Sequence, residues 1–232
     1  PYTGSDMGTL PEQFERWFAG RGWAPRPHQL DMLAEAQAGR SALVIAPTGG
    51  GKTLAGFLPS LVELAARPRQ GIHTLYISPL KALAVDIARN LEAPVAEMAL
   101  PVTLATRTGD TPQNRRARIR ETPPNILLTT PESLTLLLAH EDAREMFCGL
   151  QAVVVDEAHA LAGTKRGDQR ALGMARLSVL APGHRRVGLS ATVPHPAELR
   201  AWLSPTASPG DVTLVRAEGG AAPALDLQLP AG

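Results

Sequence analysis

The sequence predicts an α/β fold with a mostly parallel β-sheet and helices on both faces. Short apolar or β-branched runs alternate with longer helical segments over most of the 232 residues, which is typical of strand–helix–strand units. The run Ala152–Val155 has no polar alternation, so we expect a strand that is buried on both faces. The predicted strands are Ser41–Ala46, Thr74–Ser78, Val102–Thr106, Ile126–Thr129, Ala152–Asp156, Arg186–Ser190 and Val212–Arg216. The predicted helices are Pro11–Ala19, Pro27–Ala38, Lys52–Ala66, Leu80–Met98, Pro112–Arg120, Pro131–Ala139, Gly167–Leu180 and Pro196–Leu203.

Composition and charge exclude several classes of protein. Hydrophobic residues make up 44% and charged residues 19%, so we do not expect a disordered chain. The net charge of +1 does not indicate a nucleic-acid partner, which has to be inferred from local features. The single cysteine, Cys148, cannot form an internal disulfide, and we expect it to pack as a small apolar group. No apolar run approaches the roughly 20 residues of a membrane span, which favours a cytoplasmic protein without a membrane partner.

A glycine-rich turn lies between the first predicted strand and the next helix. Its glycines let backbone N–H groups approach phosphate oxygens, and the helix N-terminus adds a positive field. Lys52 supplies a charge for the β- and γ-phosphates, and the Thr53 hydroxyl can hold Mg²⁺. Ala46 stands where the general P-loop pattern has Gly, which keeps the requirement for a small residue. The turn therefore predicts a nucleotide site rather than a glycine-rich surface turn, with these binding residues: Thr48, Gly49, Gly50, Gly51, Lys52 and Thr53.

Two acidic residues follow the most apolar predicted strand. Asp156 can bind Mg²⁺ through its water shell, because this ion uses few carboxylates. Glu157 is placed to orient and deprotonate the water that attacks the γ-phosphate. By themselves the two residues could form a helix N-cap with an acid favoured by the helix dipole. Together with the P-loop they predict nucleotide hydrolysis, with Lys52, Asp156 and Glu157 as the catalytic residues.

The ordered series of motifs resembles that of superfamily 2 helicases of the DEAH/DExH type. The motifs are Gln29, Ala46–Thr53, Ser78–Leu83, Thr108–Asp110, Thr129–Ser133, Asp156–His159 and Ser190–Thr192. The amino-acid sequences of Ser78–Ile87 and Thr164–Arg170 are most similar to those of the large helicase-related (Lhr) proteins, and within them to the ligase-associated DExH-box branch. The resemblance spans Phe14 to Leu203. It implies N-terminal helices with a Q-like motif at 1–39, a RecA-like ATP-binding domain at 40–204, and an edge strand and linker at 205–232 that lead to a second RecA-like domain.

The resemblance also implies how the base of ATP is bound. Gln29 would pair with a donor and an acceptor on adenine, with Trp23 or Phe18 stacked near that base. Taken alone, Gln29 could equally be an ordinary polar position on a helix.

Three further residues would couple the nucleotide to the neighbouring site. The resemblance assigns this role to Ser190 and Thr192, with His159 as a bridge from the acidic motif to one of the two. Thr192 could instead form a capping turn, and His159 could be a hydrogen-bonded core histidine.

Loops at the ends of the remaining strands are predicted to bind a nucleic-acid backbone. Two of them open helices whose free N–H groups can bind phosphates without reading bases, and Thr108–Asp110 forms a third loop. The expected contact residues are Pro79, Lys81, Thr108, Gly109, Thr130, Pro131 and Arg166. Further candidate phosphate contacts are Arg107, Arg115, Arg116, Arg118, Arg120 and Arg170, although the run at 115–120 could simply be a solvated helix face.

The motifs predict the N-terminal ATPase domain of an ATP-dependent helicase or translocase that uses Mg²⁺. The resemblance implies single-stranded DNA or a DNA/RNA hybrid as partner, 3′-to-5′ movement, and a role in bacterial DNA repair beside a ligase or repair nuclease. Because a second domain would supply the arginine fingers, we expect the isolated domain to be nearly inactive. Alternatives are a nucleotide-dependent nucleic-acid-binding scaffold without turnover, and a transporter ATPase, whose Leu-Ser-Gly-Gly-type signature is missing from the sequence.

Overall fold

The computed structural model describes residues 8–47, 49–162, 167–191, 193–206 and 208–217, and these confirm the predicted α/β fold. The strands are β1 (Ser41–Ile45), β2 (Thr74–Ile77), β3 (Leu104–Arg107), β4 (Ile126–Thr129), β5 (Ala152–Val155), β6 (Arg185–Ser190) and β7 (Val212–Arg216). The helices are α1 (Glu12–Gly20), α2 (Pro27–Gln37), α3 (Lys52–Ala66), α4 (Lys81–Glu97), α5 (Gln113–Glu121), α6 (Pro131–Leu138), α7 (Ala143–Phe147), α8 (Ala158–Ala162), α9 (Gly167–Leu180) and α10 (Pro196–Leu203), with a 3-10 turn at Pro209–Asp211. Among the described residues, no helix is both long and apolar enough to cross a bilayer.

The seven strands form one sheet in the order β3-β4-β2-β5-β6-β1-β7, and every pairing is parallel. The last strand, β7, lies at the edge beside β1, as predicted for Val212–Arg216. Because parallel strands end at the same edge of a sheet, all the loops that follow them share that edge. The strand order divides this edge into one half formed by the ends of β3, β4 and β2, and another formed by the ends of β5, β6 and β1.

Helices cover both faces of the sheet and bury two apolar layers. Val154 of β5 faces the layer formed with α1 to α4, whereas Val153 and Val155 face the layer formed with α6, α7, α9 and α10. All four residues of β5 are at most 2% exposed, which confirms the predicted burial on both faces. The absence of polar alternation in this strand follows from its central place in the sheet.

Some predicted bounds were wrong. The strand predicted at Val102–Thr106 begins at Leu104, because pairing with β4 starts at the register Leu104↔Ile126 and continues to Arg107↔Thr129. The helices α7 and α8 were not predicted; each has only five residues, which is too short to produce a helical period. Cys148 is not packed inside but exposed after α7, where its Sγ lies 3.2 Å from the Glu145 carbonyl.

A basal ion cluster, formed by Glu63, His73 and Arg185, lies at the opposite edge of the sheet, where β2 and β6 begin. The Glu63 carboxylate accepts from Arg185 Nη2 at 2.7 Å and lies 3.1 Å from His73 Nε2. Burial alone would raise the pKa of Glu63, but hydrogen bonds from His73 and Arg185 outweigh it and hold that pKa below its ordinary value of 4.5. The cluster therefore stabilises the folded chain with Glu63 ionised.

Candidate nucleotide-binding and nucleic-acid-binding site

The glycine-rich turn connects β1 to α3 at the half of the edge formed by β5, β6 and β1. Gly49 has φ of 75° and Gly51 has φ of 78°, a left-handed conformation that strongly favours glycine. At Gly50 the limit is space, since a Cβ there would lie 2.7 Å from the Pro47 carbonyl oxygen. Gly51 is the N-cap of α3, and no side chain caps it. The first N–H groups of α3 are therefore not capped by a side chain, and with Lys52 and Thr53 in its first turn the helix start matches a phosphate site.

The acidic motif begins where β5 ends, beside β2. Asp156 is only 5% exposed, and its Oδ1 accepts from the Glu157 N–H at 2.9 Å, while its Oδ2 accepts from the Tyr76 hydroxyl. Burial raises the pKa of Asp156 above its ordinary value, and these hydrogen bonds and the charge of Lys52 oppose the rise. Lys52 and Asp156 thus act on one another electrostatically across the space between the P-loop and the acidic motif.

Glu157, His159 and Ser190 connect the acidic motif to the end of β6. Glu157 has φ of 45°, a left-handed conformation that costs free energy for a residue with a side chain. His159 Nδ1 lies 3.4 Å from a Glu157 carboxylate oxygen and 2.9 Å from Ser190 Oγ. Ser190 also accepts, through its carbonyl, the N–H of Ala46 at 3.2 Å. Ser190 therefore contacts both the P-loop backbone and the acidic motif.

Gln29 lies at the start of α2, against the P-loop. Its Oε1 accepts from the Arg26 N–H at 2.9 Å, and its Nε2 donates to the Gly51 carbonyl at 3.4 Å. The next residue back, His28, is buried, and burial lowers its pKa while the Gly50 backbone partly opposes this shift. Gln29 and His28 thus tie the N-terminal helices to the nucleotide loop.

The two aromatic residues proposed to stack on the base differ in exposure. Phe18 is 3% exposed and packs in the apolar layer of α1 to α4, so the expectation that it stacks on a base was wrong. Trp23 is 53% exposed and makes an edge-to-face contact with Trp17 at a ring distance of 5.9 Å. Of this pair only Trp23 is exposed, and the Arg21 guanidinium lies over its ring at 5.0 Å from the centroid.

The loops predicted to contact nucleic acid follow β2, β3 and β4, on the other half of the same edge. A groove of about 580 Å³ lies between the loop after β3 and the start of α4. Pro79 is half-buried and Pro131 is buried, and each stands next to or at the start of a helix. Thr130 is buried and caps α6 by accepting from Ser133 N at 3.4 Å. The groove is lined by residues that include Lys81, Val85, Thr108, Asp110, Thr111 and Arg115.

An exposed ion pair stands in this groove. Lys81 Nζ lies 2.8 Å from Asp110 Oδ1, and the two side chains are 54% and 77% exposed. The Lys81 Nζ is also close to Gly109, since a Cβ built there would lie 3.4 Å away. Thr108, in the same loop, is 7% exposed, and its N–H donates to Thr111 Oγ1 at 2.9 Å. Lys81, which was expected to bind a phosphate, therefore has the Asp110 carboxylate of its own chain as partner.

The arginines proposed as phosphate contacts differ in position. Arg107 is 7% exposed, and its Nη1 donates to the Ser133 carbonyl at 2.9 Å, so the expected phosphate contact was wrong because this side chain links the end of β3 to the first turn of α6. Arg116 Nε donates to the Thr111 carbonyl at 2.7 Å and supports the same loop. Arg115 and Arg118 are exposed, and Arg115 lines the groove.

The structure does not describe four of the predicted residues or their side chains. Thr48, Thr192, Arg166 and the side chain of Arg170 lie outside the described residues. The roles predicted for them stay predictions.

Sequence reasoning missed the roles of Tyr76 and His28 in the site. Tyr76 is fully buried in β2, where an isolated tyrosine in an apolar run gives no sign of its hydroxyl partner. Burial and the charge of Asp156 raise the pKa of Tyr76 well above its usual range, so that its hydroxyl stays a donor. For His28 the only signal was its position beside Gln29.

The comparisons with known proteins agree with this geometry. The family model described as DEAD/DEAH box helicase matches residues 26–199. The chain is 46% identical over 212 residues to an "Lhr helicase/ probable uracil glycosylase" of Mycolicibacterium smegmatis, a match that covers 85% of this chain and 14% of the relative. It is 40% identical over 204 residues to "ATP-dependent helicase Lhr-Core protein 2" of Thermococcus barophilus, covering 82% of this chain and 24% of that protein.

Solved structures give the same result. The structure of Mycobacterium smegmatis helicase Lhr bound to ssDNA and AMP-PNP matches with a TM-score of 0.83 and 43% identity, over 90% of this chain and 28% of that one. The DEAD-box helicase Mss116 bound to ssRNA and UDP-BeF matches with a TM-score of 0.77 at 18% identity, which supports the RecA-like helicase fold alone. The chain therefore spans well under a third of the length of these Lhr proteins.

Proposed function

This chain belongs to the DEAD/DEAH box helicase family, and we propose that it is the N-terminal ATPase domain of an Lhr-type, ATP-dependent helicase or translocase. The observation that carries the proposal is the grouping of the P-loop, Asp156, Glu157 and Ser190 at the ends of the adjacent strands β5, β6 and β1. ATP is the proposed nucleotide, which the relative solved with AMP-PNP supports.

The residues at this edge fit a magnesium–nucleotide complex. A hydroxyl at Thr53 and a buried carboxylate at Asp156 are the hard oxygen donors that Mg²⁺ prefers, and the charge of Lys52 acts on that carboxylate. When bound, the ion would neutralise charge on the β- and γ-phosphates. The N–H groups of Gly49 and Gly51 and the Lys52 ammonium would bind the phosphates, whereas the Gly50 N–H donates to the Pro47 carbonyl at 2.9 Å.

Glu157 is proposed as the general base for the attacking water. Its carboxylate is one-third exposed at the open edge of the sheet and is near His159 Nδ1, which contacts Ser190. We propose that His159 and Ser190 couple this centre to the nucleotide state, because Ser190 also holds the P-loop backbone at Ala46. Thr192 is proposed to share this role.

Single-stranded DNA is the proposed partner, bound across the loops after β2, β3 and β4. The groove between Lys81 and Thr108 and the helix starts at Pro79–Lys81 and Thr130–Pro131 support backbone recognition without base reading. The Lhr structure solved with ssDNA supports this choice over RNA or a DNA/RNA hybrid. The resemblance further favours 3′-to-5′ movement, a DNA-repair role beside a ligase or repair nuclease, and a bacterial cytoplasmic location.

Lys52→Ala tests this proposal in the full-length protein. We expect it to abolish ATP hydrolysis and duplex unwinding together, because the P-loop lysine neutralises the phosphates in binding and transfer. Unwinding is measured by fluorescence on duplexes with a 3′ or a 5′ single-stranded tail. Lys81→Ala is the matched control: it removes a lysine from the DNA half, so basal ATP hydrolysis should persist while stimulation by DNA falls. Unwinding that survived Lys52→Ala would contradict the motor function.

The isolated chain is proposed to hydrolyse ATP hardly at all, since a second RecA-like domain would supply the arginine fingers. These are worth roughly 10³–10⁵ in rate in related nucleotide hydrolases. Turnover is measured for the chain and the full-length protein, each with and without single-stranded DNA. Robust DNA-stimulated turnover by the chain alone would refute this part, and a full-length protein that binds ATP without turnover would favour a scaffold instead.

A further inference from the structure

Tyr76 lies at the boundary between the two halves of the functional edge. It is in β2, whose end leads to the nucleic-acid loop at Lys81, and it pairs in register with Val154 of β5. Its side chain is fully buried, and its ring stacks on Phe57 of α3 with a centroid distance of 5.0 Å and an interplanar angle of 28°. Its hydroxyl donates to Asp156 Oδ2. One side chain thus contacts both the helix that follows the P-loop and the acidic motif.

The Asp156 carboxylate is held by one donor on each oxygen. The Glu157 N–H occupies a lone pair of Oδ1 at 2.9 Å, and the Tyr76 hydroxyl occupies a lone pair of Oδ2. A carboxylate offers about four lone-pair positions, so each oxygen keeps one for a cation or its water. Two donors on opposite oxygens also prevent rotation of the carboxylate plane. The backbone donor cannot be removed by substitution, whereas the tyrosine donor can.

We propose that Tyr76 is a positioning residue, whose hydroxyl holds the Asp156 carboxylate in the orientation that binds the divalent ion of the nucleotide complex. The inference rests on the proposed function, because it requires Asp156 to bind that ion, either directly or through a water of the ion's shell. Tyr76 does not touch nucleotide or metal itself. It acts through Asp156, as hydrogen-bond partners of metal ligands commonly do.

Tyr76→Phe tests the inference, because it deletes the hydroxyl and keeps the ring that stacks on Phe57. A fluorescent ATP analogue is titrated into the protein at increasing Mg²⁺ concentrations and, separately, in excess EDTA. The half-saturating Mg²⁺ concentration should rise roughly 10-fold or more, the range found when partners of metal ligands are removed. Binding in EDTA should stay within about two-fold of the unsubstituted protein, because the phosphate loop itself is not altered. Equal losses with and without Mg²⁺, or an unchanged Mg²⁺ requirement, would overturn the inference.

Two further variants separate the possible causes. Phe57→Leu loosens the packing on the same ring and leaves the hydroxyl in place, so we expect a lower melting temperature with an unchanged Mg²⁺ requirement. Asp156→Asn should raise the Mg²⁺ requirement strongly. An unchanged Mg²⁺ requirement in Asp156→Asn would contradict the proposed metal site itself. A raised requirement in Asp156→Asn together with no effect of Tyr76→Phe would contradict only the role of Tyr76.

A spectroscopic measurement keeps the Tyr76 hydroxyl in place. The chain has only two tyrosines, so 3-fluorotyrosine labelling gives two ¹⁹F signals, and Tyr2→Phe assigns them. The Tyr76 signal should shift when Mg²⁺ is added to the nucleotide-bound protein, and reverse when EDTA is added. A signal that ignored Mg²⁺ under conditions where nucleotide binding depends on it would refute the inference.

Discussion

Adding a single methyl group to the P-loop should have very different effects at Gly50 and at Gly49, although the two residues are adjacent. A Cβ on Gly50 would lie 2.7 Å from the Pro47 carbonyl oxygen and 3.2 Å from the Ala46 Cβ. A Cβ on Gly49 would meet nothing within 4 Å, but its φ of 75° would place alanine in the left-handed region. Alanine at position 50 would therefore collide with the backbone, whereas alanine at position 49 would only be conformationally strained.

The steric contact at Gly50 and the backbone strain at Gly49 should lower nucleotide affinity by different amounts. Left-handed strain costs about 1–2 kcal/mol for alanine. The nucleotide-free loop can relax out of this conformation, and binding must then restore it, so Gly49→Ala should weaken nucleotide binding about 10-fold. At Gly50 the contact is with backbone, which has to shift, and the Gly50 N–H that bonds to Pro47 at 2.9 Å moves with it. A displaced phosphate cradle loses aligned donors, so Gly50→Ala should weaken binding about 100-fold or more.

Equilibrium titration with a fluorescent ATP analogue in Mg²⁺ measures both affinities. Thermal unfolding without nucleotide checks that each variant is folded. Gly71→Ala is the matched control, because Gly71 has φ of 82° and open space but lies at the opposite edge of the sheet, so its strain should leave nucleotide affinity unchanged. The reasoning is refuted if Gly49→Ala is as damaging as Gly50→Ala, or more so.

Three further substitutions test other parts of the structure. Asp110→Asn frees Lys81 and should tighten single-stranded DNA binding about 2- to 5-fold at low salt, because an exposed ion pair contributes less than about 1 kcal/mol. Fluorescence anisotropy measured over a series of salt concentrations should show a smaller gain in affinity at high salt. Weaker DNA binding by the variant would contradict the prediction. Glu63→Gln in the basal ion cluster should lower the free energy of unfolding by about 2 kcal/mol near pH 7, measured with urea. Since the pKa of Glu63 is lowered on folding, its stabilisation is present above its ordinary pKa of 4.5 and is lost as the pH falls through the lower folded value, so the two proteins should converge in acid; a constant difference would exclude this linkage. Ser190→Ala removes the hydroxyl that contacts His159 and should reduce DNA stimulation of ATP hydrolysis in the full-length protein more than it reduces nucleotide affinity; an equal loss of both would argue against coupling.

Much of the nucleotide site could be predicted because its evidence is local. The turn at Gly49–Gly51 lies between a strand and a helix that adjoin it in the chain, so composition and position identify it without tertiary information. Asp156 was identified in the same way, from the apolar strand that precedes it. The bounds of α3 and β4 agreed with the prediction because periodicity and flanking glycine or proline mark them.

The errors concern residues whose environment depends on distant parts of the chain. Arg107 is of a residue type that commonly binds phosphates. In the fold it is buried beside the connection from β4 to α6, and its guanidinium donates a hydrogen bond to the Ser133 carbonyl. Phe18 is of a residue type that can stack on a base, but α1 packs in the apolar layer formed with α2 to α4, and this packing buries the ring. Exposure of a single side chain cannot be read from local sequence, because it is set by the elements that pack on it.

Local chemistry in the sequence determined which motifs this protein has, since each motif is a short run whose residues act on one ligand together. The tertiary structure decided where they lie: parallel pairing brings every strand end to one edge, and the strand order separates the nucleotide motifs from the loops proposed to bind nucleic acid. It also brought Tyr76 to Asp156, 80 residues away along the chain. That contact depends on β2 lying beside β5, and strand pairing across such a distance is selected by burial in the whole sheet rather than by any local pattern.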